Sequence, residues 1–144
     1  MTEIPFRPTA GNPHPMPASV PEGLRLELGR AKIVPGMERE AEAWMRMLNE
    51  RIDEGVATLA KERAPLQAAF FNREADGSLW IYYLSLVPED GPAFDPEASD
   101  IDRAHAEYGG RVKMPGWEEL QPKLLLVPDH IRDAMVRWSR GGGA

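Results

Sequence analysis

Leu79-Trp80-Ile81-Tyr82-Tyr83-Leu84-Ser85-Leu86-Val87 is the stretch on which the fold turns. Its aromatic and β-branched content marks a β-strand. Side chains of a strand alternate, so Leu79, Ile81, Tyr83 and Val87 point one way and Trp80, Tyr82, Leu84 and Leu86 the other. Both sets are apolar, whereas an antiparallel strand with one wet face alternates apolar with polar residues. The strand therefore predicts a sheet covered on both sides.

The neighbouring segments extend the same pattern. Upstream, Asp76-Gly77 turns the chain from a second strand, residues 66–72, in which Phe70 and Phe71 take opposite faces. Before it, Ala41, Trp44, Met45, Leu48, Ile52, Val56 and Leu59 step by three and four residues, the period of one long helix opened by Pro35-Gly36 and stopped by Pro65. Leu24, Leu26 and Leu28 alternate in a first strand, and the apolar parity then shifts to Ala31 and Ile33, which predicts a bulge at Gly29. Downstream, an acidic, proline-broken loop leads to Ser99, with Asp102 three residues later as in a capping box. Ile101, Ala104, His105 and Tyr108 share one helical face before Gly109-Gly110. The Lys123-Leu124-Leu125-Leu126-Val127 run predicts a last strand over 120–127, and Asp129 caps a final helix with Ile131, Ala134, Met135 and Trp138 inward.

The order β-α-β-β-α-β plus a terminal helix predicts an α+β, ferredoxin-like antiparallel sheet with two helices on one face. Those helices cover one side only. A second copy of the sheet is the simplest cover for the other, giving a homodimer, and the C-terminal helix is the competing cover. Residues 1–22 hold six of the 14 prolines and read as a flexible arm, with Ile4 and Phe6 able to drape on a neighbouring surface. Residues 23–140 form a single domain and 141–144 a disordered tail.

With 144 residues, 42% hydrophobic and 28% charged, the composition is that of one globular domain. The net charge of −6 disfavours a nucleic-acid partner or an anionic membrane surface. No cysteine is present, so disulfides, thiolate metal sites and cysteine nucleophiles are excluded. Neither a signal segment nor an apolar run long enough for a membrane span is legible, and a cytoplasmic location is expected.

Two signatures carry a resemblance. Lys32-Ile33-Val34-Pro35-Gly36, with Trp44-Met45, Leu48-Asn49-Glu50-Arg51, Asp53-Glu54 and Ala57-Thr58-Leu59, forms one; Ile101-Asp102-Arg103-Ala104-His105 with Tyr108 forms the other. Together they resemble a bacterial family of uncharacterised small proteins in the dimeric α+β barrel superfamily, which also holds the antibiotic-biosynthesis-type monooxygenases. The resemblance covers roughly residues 24–127. It implies a dimeric barrel and brings no established activity.

His105 shares the inward stripe of its helix, and Asp102 lies three residues earlier, within reach of the imidazole. A carboxylate that fixes a histidine tautomer is how a general base is prepared; the plainer reading is a packed histidine beside a capping aspartate. Trp44, Arg51 and Glu54 lie along one flank of the long helix. Arg51 is a possible anchor for a substrate carboxylate, against the plainer reading of a solvated Arg51–Glu54 pair. Asn72 at a strand end and Tyr108 complete the candidate ligand-binding set.

No two of the three histidines have helical ligand spacing, so no metal site is expected, and no glycine-rich phosphate loop or Gly-x-Ser-x-Gly elbow exists. The element order is shared with RNA-recognition domains, but the third strand lacks their basic-aromatic signature. The expectation is a homodimer holding a small organic molecule between helices and sheet, an anionic one where Arg51 serves as anchor, without a cofactor. The alternative is a cofactor-independent, monooxygenase-like enzyme with His105 as base; a haem-handling variant, hinted at by His105 and Trp44, comes third.

Overall fold

The computed structural model describes residues 14–92 and 94–142. The elements are β1 (Leu24–Lys32), α1 (Glu38–Glu50), α2 (Ile52–Glu62), β2 (Leu66–Arg73), β3 (Leu79–Pro88), α3 (Asp100–Val112), β4 (Glu118–Leu120) and α4 (Asp129–Ser139). The strands form one antiparallel sheet in the order β2-β3-β1-β4. The protein is thus α+β, with a four-stranded sheet and four helices among the described residues.

The pairing register explains which residues each layer needs. Ala31 faces Ile81 and Ile81 faces Phe71, so these three share one side of the sheet. On that side Ala41 and Trp44 of α1 and Val112 of α3 close a core with Ala31, Ile33, Leu79 and Ile81. On the opposite side, Leu24 and Leu86 form a second core with Val20, against which Met16, Leu26, Leu125, Met135 and Val136 pack. Helix α4 therefore covers part of the helix-free face, together with the segment that precedes β1. His14 accompanies this segment: Arg25 donates to its carbonyl at 2.8 Å, and its Nε2 lies 3.2 Å from the Glu119 carbonyl. Of the expected arm, residues 14–22 are packed in this way. Residues 1–13, with Ile4 and Phe6, lie outside the described residues, as do Gly143 and Ala144 of the expected tail.

Several expectations are corrected. There is no bulge at Gly29, because β1 pairs with β3 residue for residue from Leu24 to Lys32. The parity shift has another cause. The sheet is covered on opposite faces at its two ends, so β1 buries Leu24 under α4 at its start and Ala31 under α1 and α3 at its end. The long helix breaks at Arg51, whose φ of −107° and ψ of 37° separate α1 from α2. Helix α3 runs through Gly109-Gly110 to the buried Val112. Strand β4 is three residues long, and the Leu-rich run after it pairs with no strand. There Leu125 turns inward and its amide donates to Ser19 Oγ at 2.9 Å, while Leu124 and Leu126 are 62% and 80% exposed. In α4, Met135 and Val136 face the core, Trp138 donates to the Ala64 carbonyl, and Ile131 is exposed.

The other end of the helix-free face has a cover of its own. Arg30 lies 4.1 Å over the Trp80 ring and pairs with Glu74 at 2.9 Å and Glu118 at 3.0 Å, and the Tyr82 hydroxyl donates to the same Glu74. One cation from the sheet itself thus shields the Trp80 and Tyr82 rings in place of a partner layer. No described helix is long and apolar enough to cross a membrane.

Candidate functional site

The break at Arg51 decides where space is left. Up to that point α1 lies on the sheet and buries Ala41 and Trp44. Beyond it, α2 buries no residue at all. Ile52 and Val56, one helical turn apart, are each 56% exposed, and Ala69 of β2 is too small to fill the gap beneath them. The result is a cavity of about 350 Å³ walled by α1, α2, β2, β3 and α3, within the range of small-molecule sites. Its surface is mostly apolar, from Met45, Leu48, Leu59 and Ile101, with a few polar groups set into it.

His105 of α3 is one of those polar groups, with its ring held by Trp44. The buried Trp44 indole Nε1–H donates to His105 Nδ1 at 2.8 Å, and the two rings stand 5.3 Å apart, tilted by 47°. Tyr83 packs edge-on against the same imidazole at 6.2 Å. An indole N–H only donates, so the nitrogen it meets carries no proton. Asp102 also lines the cavity, but its carboxylate accepts the Ser99 hydroxyl at 2.6 Å, and Ser99 Oγ accepts the Asp102 amide in return. Ser99 thus caps α3 as the sequence indicated, with Asp102 bonding back to its hydroxyl rather than to its backbone amide. The expected Asp102–imidazole bond is replaced by the indole.

The remaining candidates are distributed differently from expectation. Arg51 and Glu54 form a two-point pair, at 3.0 and 2.6 Å, on the outer side of the kink, and neither lines the cavity. The pair raises the Arg51 pKa and lowers that of Glu54, chiefly through their hydrogen bonds, as befits a solvated ion pair. Asn72 faces Trp80 across the ladder, so it lies on the opposite side of the sheet from the cavity, with its amide on Glu74. Tyr108 packs against the core under the Arg111 guanidinium, 4.6 Å from its ring. Trp44 supports the site from behind.

Sequence reasoning missed Gln67 and Ala69 as cavity walls, since only the register of β2 puts them beneath α2. It also missed Lys113. That residue follows α3, is 3% exposed, and burial pushes its amine down to about 7. Its ammonium stands 5.1 Å from the Trp117 ring. No group of three or more His, Cys, Asp or Glu among the described residues is placed to hold a metal ion.

A family model described as a family of unknown function (DUF6176) matches residues 24–133. No curated protein matches the chain.

Proposed function

Because the chain belongs to this family of unknown function, its role must be read from its own site, and we propose that it binds a small organic molecule in the cavity beneath α2. The observation that carries the proposal is the unburied apolar side of α2. Ile52 and Val56 remain 56% exposed over a space floored by the small side chain of Ala69. Covering the exposed half of two such side chains stabilises a structure by roughly 1–1.5 kcal/mol each. A ligand in the cavity supplies that cover.

Two finer readings accompany it. The strand order β2-β3-β1-β4, with α1 and α3 packed on one side, supports a ferredoxin-like sheet. The homodimer keeps support from the part of the helix-free face that neither α4 nor Arg30 covers. There Phe70 is 55% exposed and Leu66 and Leu120 are 36% exposed, the first two on edge strand β2 and Leu120 on the opposite edge strand β4. The enzyme reading with His105 as base loses its main support, since Asp102 is engaged by Ser99 and Nδ1 by Trp44.

A thermal-shift screen of small organic molecules tests the binding reading, because a ligand specific to the folded state raises its melting temperature. Hits are expected on the wild-type chain and are lost in Ala69→Phe, which fills the cavity. A screen without hits, or hits that persist in Ala69→Phe, contradicts the proposal.

A further inference from the structure

The walls of the cavity are uneven in charge. Asn49 donates to the Met45 carbonyl, Thr58 to the Gly55 carbonyl and Gln67 to Glu62, so these neutral groups are tied to the protein itself. No Lys or Arg lines the cavity among the described residues, and Asp102 is the one carboxylate in it. Asp102 is only 7% exposed. Its Oδ2 accepts the Ser99 hydroxyl at 2.6 Å, and no described residue donates to its Oδ1. Arg103, the next residue, is engaged by Glu97 and Asp100, and Arg51 at the kink by Glu54. The first turn of α3 offers the carboxylate only a partial positive charge. A carboxylate accepts at both oxygens. Buried with a single neutral donor, it is costly unless a full positive charge offsets it.

We infer that the cavity, on its reading above as a binding site, takes an organic cation whose ammonium group sits on Asp102 Oδ1 and whose apolar body lies against α2. The two halves of such a ligand answer the two unmet demands of one space. Asp102 on α3 lacks a counter-charge, and Ile52 and Val56 on α2 lack apolar cover. An ammonium supplies both the charge and the N–H donors that Oδ1 accepts. An anion fits worst, because it meets a carboxylate and no cation. The anchor that Arg51 was expected to provide for an anion lies outside the cavity, paired with Glu54. The net charge of −6 also draws cations rather than anions towards the chain.

Titration calorimetry with three probes of similar size tests the assignment: phenethylamine, phenethyl alcohol and phenylacetate. Phenethylamine is expected to bind about tenfold tighter than the alcohol, the size of one charge-assisted hydrogen bond, with phenylacetate weakest. Asp102→Asn keeps an acceptor for Ser99 and removes the charge, so the advantage of the amine disappears while the alcohol still binds. On the wild-type chain, the carboxyl ¹³C resonance of Asp102 moves on saturation with the amine and not with the alcohol, a reading that needs no variant to fold. Equal binding of amine and alcohol, both abolished in Ala69→Phe, overturns the cation assignment alone. An advantage of the amine that survives in folded Asp102→Asn, or an Asp102 resonance that ignores the amine, overturns it too. No binding by any of the three at millimolar concentration overturns the ligand class, and the thermal-shift screen still judges the cavity. Binding that survives Ala69→Phe overturns the cavity and the ligand class together.

Discussion

Gly29 and Gly55 show how differently one residue type is used. A Cβ on Gly29 would collide with the Trp117 ring, which is laid flat on the strand by its own bond to Glu119 at 2.8 Å. Nothing stands within 4 Å of a Cβ on Gly55, inside α2. Gly29→Ala is expected to lower stability by about 1–3 kcal/mol through overpacking. Gly55→Ala should raise it by up to about 1 kcal/mol through helix propensity. Urea denaturation midpoints measure both, and equal effects would contradict the packing described. Lys113 gives a pH prediction. Its amine is pushed down to about 7 in the folded chain by burial, against about 10.4 for an unfolded lysine. Between those values the unfolded state holds more protons, so stability rises with pH across that window, by up to about 1.4 kcal/mol per pH unit. Below pH 7 both states are protonated and the slope vanishes. Lys113→Met should flatten the slope, as read from urea unfolding at pH 7, 8 and 9; an unchanged slope would refute the assignment.

At the scale of elements, α1 and α2 are one amphipathic period with two fates. Trp44 is fully buried in α1, whereas α2 buries none of its residues. Amides of α2 are therefore expected to exchange with solvent faster than those of α1, by a factor set by local opening rather than global unfolding. Equal rates in the two helices would show that the kink at Arg51 does not uncouple them. The period in the sequence locates both helices because the spacing of three and four is local information. It cannot locate the kink, because Arg51 keeps the helical hydrogen bonds on either side, from its amide to Met47 and from Gly55 back to its carbonyl. The parity shift in β1 was legible as a fact and misread as a bulge, since a change of covered face and an inserted residue look alike along a single strand. Leu124, Leu125 and Leu126 have strand composition, but pairing depends on a neighbour, and β4 stops at Leu120. His105 was legible as an inward group from its stripe. Its partner was not, because Trp44 lies 61 residues away, whereas Asp102 was near in sequence and already committed to its cap.

Across the whole molecule, the doubly apolar β3 receives most of its cover from its own chain: α1 and α3 on one side, and α4, Met16, Val20 and Arg30 on the other. What remains exposed on the helix-free face is Phe70 with Leu66 and Leu120. The dimer proposal therefore makes a narrow prediction. Light scattering at micromolar concentration gives twice the chain mass for the wild type, and Phe70→Glu returns it to the mass of one chain while keeping the folded spectrum. A wild-type mass of one chain contradicts the dimer and leaves the cavity untouched, since the cavity is walled from within a single chain. The cavity is the central claim, and hydrogen exchange with and without a hit from the thermal-shift screen tests it most directly. The account predicts that exchange slows in α2 and in the facing part of β2, where Ile52, Val56 and Ala69 would close on the probe, with little change in α4. Saturation with such a hit that leaves α2 exchange unaltered, or protection confined to α4, would contradict it.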